Sequence, residues 1–208
     1  MFYFTKTPFW LKMIYPTCLW NYKPADNPKK IFLSFDDGPH AAATPFVLDE
    51  LRKYNAKATF FCIGKNVLAE TSLYKRILLE GHRVGNHTNN HLNGWKTDNK
   101  TYLENIEKAR ELIDSNLFRP PYGRATAFQI RNLIDQLHYK VVMWDVLAGD
   151  FDPKVNGMQA AERVIKKSKS GSIIVFHDSA KALQVLEVAL PIVLAYFSGA
   201  GFAFETIK

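Results

Sequence analysis

The chain has 208 residues, 47% of them apolar, enough to bury one core in a single globular domain, and it shows no repeat or low-complexity tract. Its two cysteines, Cys18 and Cys62, make no CxxC spacing, which excludes a disulfide framework and a thiolate metal site; Cys62 lies in an apolar run and is expected to be buried. The formal charge of +7 invites an anionic partner, but no Lys/Arg cluster interleaves with aromatics, so nucleic acid is not expected, and the basic run of residues 163–169 reads as the exposed end of a helix.

The first twenty residues carry Phe2, Tyr3, Phe4, Phe9, Trp10, Tyr15 and Trp20. Lys12 and Pro16 break the apolar stretch, it is too short to span a bilayer, and no small-residue cleavage site follows. Neither a signal peptide nor a transmembrane segment is read there, and export is not visible. Residues 1–28 are expected to form a strap and linker packed on a catalytic domain of residues 29–208, with a membrane-surface anchor as the alternative.

Ile31 to Phe35 predicts a strand, and Thr44 is the expected cap of a helix from Pro45 to Tyr54. Ala58 to Ile63 is a second strand, Tyr74 to Glu80 a helix stopped by Gly81, and His82 to Gly85 a short strand before a polar loop of residues 87–95. Thr101 to Ser115 and Phe128 to Leu137 read as helices on either side of an Arg-Pro-Pro-Tyr-Gly turn. Tyr139 to Asp145 reads as one strand, followed by a helix at Gly157 to Lys167, a strand at Ser172 to Phe176, a helix at Leu183 to Phe197 and a last strand at Phe202 to Ile207. This alternation predicts βα units and a mainly parallel sheet, curled or open, with chemistry at the C-terminal strand ends.

Those ends are where the reactive residues fall. Ser34-Phe35-Asp36-Asp37-Gly38-Pro39 places adjacent carboxylates where a strand breaks into a turn, so both can face one opening, and a cation beside them would relieve their repulsion. His87 and His91, four residues apart, complete a His-His-Asp set suited to zinc or a similar divalent ion with an open position for water. One of Asp36 and Asp37 would bind the metal and the other act as base. His177, emerging from an apolar run, is a natural acid, and Arg119, stiffened by two following prolines, is placed to orient and keep ionised a carboxylate.

With these motifs in order, the stretch from about Lys29 to Lys208 resembles the metal-dependent polysaccharide deacetylases, the NodB-like domain of carbohydrate esterase family 4. The resemblance implies an α/β fold, a distorted and incomplete (β/α)7-type barrel. It implies Asp36 as catalytic base, Asp37, His87 and His91 as ligands of one divalent metal (zinc first, cobalt or another transition metal as alternatives), and Arg119 as support for the base. Arg119-Pro120-Pro121-Tyr122 is similar to the third family motif, with Pro121 beside the substrate and the Tyr122 amide holding the oxyanion. Val175 would line the acetate pocket, His177 act as general acid, and Asp150 orient it. The fourth motif departs from the pattern, since Leu147 stands for the usual Asp and Phe151 for the usual Trp. Trp144, with Trp95 and Phe151, is an aromatic candidate for stacking on sugar rings.

The activity so implied is removal of N-acetyl groups from N-acetylglucosamine-containing polysaccharide, peptidoglycan or chitin oligomers, by a monomer. The alternatives are an O-acetyl esterase of the acetyl-xylan type, a non-sugar amidase, or a carbohydrate-binding module with an impaired site.

Overall fold

The apolar runs read as strands do pair in parallel. The computed structural model describes residues 3–26 and 28–208, so Phe2 lies outside the described residues. In chain order the elements are α1 (Phe9–Ile14), β1 (Lys30–Asp36), α2 (Ala43–Lys53), β2 (Ala58–Cys62), α3 (Gly64–Ala69), α4 (Thr71–Leu79), β3 (Arg83–Asn86), α5 (Asn99–Arg110), β4 (Leu117–Phe118), a 3-10 turn (Pro121–Gly123), α6 (Ala127–Asp135), β5 (Lys140–Val141), β6 (Val146–Leu147), α7 (Gly157–Lys167), β7 (Ile173–His177), α8 (Leu183–Gly199) and β8 (Ala203–Phe204). The sheet order is β5-β4-β3-β2-β1-β7-β6, with β8 paired to the start of β1.

Two expectations are corrected. Tyr139 to Asp145 is not one strand: β5 and β6 lie at opposite edges of the sheet. The five residue steps from Val141 to Val146 reach at most about 18 Å, whereas the outer strands of a flat seven-stranded sheet would stand roughly 29 Å apart. The sheet therefore curls until its edges almost meet, giving the incomplete barrel. Thr44 is also not a cap: α2 begins at Ala43, and the Thr44 hydroxyl instead accepts from His40 N–H (2.7 Å) and donates to Asp178 Oδ2 (2.6 Å). The helices α1 and α3 were not expected.

The N-terminal segment runs along the open seam. Thr7 N–H donates to Asp145 O (2.9 Å) and Leu147 N–H to Thr5 O (3.0 Å) on the β6 side. Leu19 N–H donates to Val141 O and Met143 N–H to Leu19 O, both 2.8 Å, on the β5 side.

Strand alternation sorts the side chains of β1. Leu33 and Phe35 join the large core between sheet and helices, with Leu48, Phe60, Phe176, Leu190 and Val193. Phe32 instead joins Phe61, Leu117, Val142, Ile173 and Ile207 inside the curl. Ser34 and Asp36 continue that inner face upward, above an apolar floor.

Candidate active site

At the end of β1, Asp37 takes a positive φ of 81°, which ends the strand alternation. The turn is held from behind by Asp178: its Oδ1 accepts from Gly38 N–H (3.1 Å), and its own N–H donates to Asp36 O (3.0 Å). Gly38 is required here, because a Cβ at this position would lie 2.0 Å from Asp178 Oδ2. The sequence reading gave Thr44 only a capping role and did not single out Asp178, although Asp178 directly follows His177.

Asp36 is buried against the fully buried Arg119, whose Nη1 donates to Asp36 Oδ1 at 2.6 Å and to Ser34 Oγ at 2.8 Å. The remaining guanidinium donors reach Val142 O (3.2 Å) and Met143 O (3.0 Å), and the Phe61 ring lies 4.0 Å beneath. Every edge of the fork is thus fixed, and the contact is a buried, charge-assisted pair.

His87 is buried at the end of β3, its Nδ1 2.7 Å from Arg119 O. A carbonyl only accepts, so Nδ1 carries the proton and Nε2 presents a lone pair. Burial pushes this imidazole down to about 4, so it is neutral near pH 7. That lone pair lies 3.6 Å from Asp37 Oδ1, and His91 Nε2 lies 3.1 Å from the same oxygen. Burial works to raise the Asp37 carboxyl, but the His91 and His177 imidazoles outweigh it and hold the group ionised.

Asp37 Oδ1 is nevertheless buried with no partner in hydrogen-bond geometry. Among the described residues, Asp37, His87 and His91 offer ligand atoms all within 4.8 Å of one another, a possible metal site. A buried carboxylate oxygen facing a lone pair is unfavourable alone and favourable around a shared cation, so the donor set fits a divalent metal.

Across from this set, His177 ends β7. Its Nδ1 lies 2.8 Å from Asp150 Oδ1, and its N–H donates to Asp150 Oδ2 at 2.7 Å. Burial works to lower the imidazole, but the Asp150 carboxylate, with Asp37 and Asp36 behind it, raises it to about 10. Phe151, the departure from the fourth motif, sets its ring edge-on to His177 at 5.0 Å. Behind Phe151 stands Tyr3, its ring 5.2 Å away and its hydroxyl donating to Asp152 Oδ2 at 2.8 Å. Nothing in the sequence pattern pointed to Tyr3.

Tyr122, more than half exposed, tilts its ring over His91 at 4.6 Å, while Pro121 is buried in the 3-10 turn. Val175 is buried on the side of β7 shared with His177, paired with Ser34 and Leu147. Trp144 is half-buried against the interior cluster and abuts Gly123, next to Tyr122. Trp95 is exposed, its indole N–H donating to Ala125 O (3.1 Å). Of the seven non-glycine residues with positive φ among those described, Asp37, Thr88, His91 and Tyr122 belong to this rim. Such strain persists where the surroundings over-determine the backbone, as they do at functional sites.

The family profile described as Polysaccharide deacetylase matches residues 23–142. A peptidoglycan-N-acetylglucosamine deacetylase of Bacillus cereus is 33% identical over 203 residues, covering 95% of each protein. A chitooligosaccharide deacetylase of Azorhizobium caulinodans is 32% identical over 160 residues, covering 73% of this chain and 75% of that protein. Other relatives are longer: the chain spans 57% of a second Bacillus cereus peptidoglycan deacetylase and 38% of one from Listeria monocytogenes. The fold matches the crystal structure of a peptidoglycan N-acetylglucosamine deacetylase in complex with 4-naphthalen-1-yl-N-oxidanyl-benzamide, with TM-score 0.86 at 30% identity, over 97% of this chain and 95% of that one.

Proposed function

The chain belongs to the polysaccharide deacetylase family, and on that premise we propose that it is a metal-dependent hydrolase that removes N-acetyl groups from N-acetylglucosamine-containing polysaccharide, peptidoglycan or chitin oligomers, releasing acetate. The observation that carries the reading is the orphaned Asp37 oxygen facing two imidazole nitrogens, set between a buried Asp36–Arg119 pair and a protonated His177.

Asp37, His87 and His91 would hold the ion, zinc in first place. Such an ion supplies Lewis acidity, activating water and polarising the acetyl carbonyl. Arg119 occupies Oδ1 of Asp36, leaving Oδ2 to take the proton of the attacking water. The Tyr122 amide would donate to the oxygen on which negative charge develops. His177, its Nδ1 tied to Asp150, keeps the Nε2 proton for the departing amine. Val175 and Pro121 would shape the acetyl pocket, with Trp144 packed behind the Tyr122 turn.

The test is acetate release from peptidoglycan and chitin oligomers, with and without a chelator, alongside metal analysis of His87→Ala. Chelator-sensitive release in the parent, with metal and activity both lost in His87→Ala, is the expected result. Undiminished release from protein shown to be metal-free would reject it.

A further inference from the structure

The helix α1 turns its sides the opposite way from an ordinary surface helix. Its one cation, Lys12, points inward, the ammonium bonding Asp145 Oδ1 (2.8 Å) and Asn21 Oδ1 (2.7 Å), and Leu11 packs on the core beside it. Its large apolar side chains point outward: Phe9 is 76% exposed, Trp10 53%, Met13 64% and Ile14 60%. Residues spaced i, i+1, i+4 and i+5 share one continuous face, so the four form a single apolar surface.

Phe4 sets its ring edge-on to Trp10 at 6.2 Å, and the strap residues that follow Phe4 meet the lysines that end α7. The Lys6 ammonium bonds Lys167 O (2.9 Å), and Lys167 reaches back to the Thr5 hydroxyl, which ties the basic end of α7 to the strap. Lys166, in an exposed ion pair with Glu162, and Lys169 are both exposed at that end of α7.

We propose that the outer face of α1, with the lysines that end α7, seats the protein on an anionic lipid surface. An apolar patch held on a rigid scaffold, with exposed lysines at the adjoining end of α7 on a chain of net charge +7, has the two components of interfacial binding: burial among acyl chains, and attraction to negative headgroups. The helix is about 9 Å long, so it lies in the interface. Among the described residues, no helix is long and apolar enough to cross a membrane. A polysaccharide fits this face less well, since Met13 and Ile14 have no flat ring to stack on a sugar. A second copy fits less well too, since the net charge of +7 on each copy opposes their association.

Co-sedimentation with vesicles tests this directly. The full chain should pellet at low salt with equal parts phosphatidylglycerol and phosphatidylcholine, stay in solution with phosphatidylcholine alone, and be released by high salt. Trp10→Ser, Met13→Ser and Ile14→Ser together should weaken binding about tenfold or more, and Lys166→Glu with Lys167→Glu about fivefold or more. Both variants should keep the parent melting temperature. Four results would overturn the proposal: no pelleting with anionic vesicles, equal binding to neutral ones, pelleting with insoluble chitin that the serine variant abolishes, or a concentration-dependent dimer that the serine variant abolishes. The lysine variant lies outside α1, so it remains informative if the serine variant fails to fold.

Discussion

Asp36 and Asp145 are both buried carboxylates held by basic side chains, yet their partners differ in kind. Asp36 meets one fully buried guanidinium whose three nitrogens all donate within the protein interior. Asp145 meets two ammonium groups on the N-terminal segment, Lys6 (2.6 Å) and Lys12 (2.8 Å), together with the Ser172 hydroxyl (2.6 Å). Both lysine side chains are partly exposed. A rigid fork fixes where a carboxylate points, as the base role proposed for Asp36 would need. Flexible, hydrated ammonium groups hold two chain segments together without fixing an angle, as a seam needs.

The largest expected effect separates the two. Asp36→Asn keeps the shape and the hydrogen bond to Arg119 but loses the proton acceptor. Acetate release should fall by about 10²–10⁴, with metal content and melting temperature near the parent's. A variant that turns over normally would remove Asp36 from the mechanism. Next is Arg119→Leu, which strands the Asp36 charge in the interior. Breaking one side of a buried pair costs about 3–5 kcal/mol, so denaturant unfolding should show a loss on that scale, far more than any single lysine change at Asp145 produces.

The acid side sharpens the same contrast through pH. Asp150 raises folded His177 from 6.5 to about 10, so the pairing stabilises fully below pH 6.5 and its contribution is lost as pH climbs towards 10. A divalent ion held through Asp37, as proposed, would work against that rise, so the alkaline limb of kcat/KM is expected between these values. Asp150→Asn should draw the limb down by about one pH unit or more, equivalent to roughly 1.4 kcal/mol per unit. A limb that stays put would mean that His177 is not the group titrating there.

The reactive rim was legible because each of its residues sits at a strand end inside a short local pattern. The Asp-Asp-Gly-Pro turn, the His-x3-His spacing and the Arg-Pro-Pro run are each set within about six residues, and the structure brings them together. The seam was not legible, because its logic is non-local. Val141-Val142-Met143-Trp144 has the apolar character of a strand whether it lies in a ladder or crosses between two edges, and only the curl of the sheet decides. Thr44 before Pro45 has the signature of a helix cap, while its actual partner, Asp178, lies 134 residues away. The helix α1 is six residues long without a side-chain cap, too short for periodicity to speak.

The smallest expected effect concerns the seam. Asp145 is buried, which works to raise its carboxyl, but Lys12, Lys6 and Ser172 hold it below the ordinary value. That stabilisation is present above about pH 4 and is lost as pH falls through the folded value. Solvent screens the lysines, so Lys12→Met should cost at most about 1 kcal/mol, and Asp145→Asn about 1–3 kcal/mol. If the strap is tethered through this contact, the double variant should cost less than the two single changes together, by about 0.5–1 kcal/mol, and that coupling should fade as pH falls through the lowered folded value of Asp145. Strict additivity at pH 7 would mean that the backbone pairs at Thr5, Thr7 and Leu19 close the seam unaided.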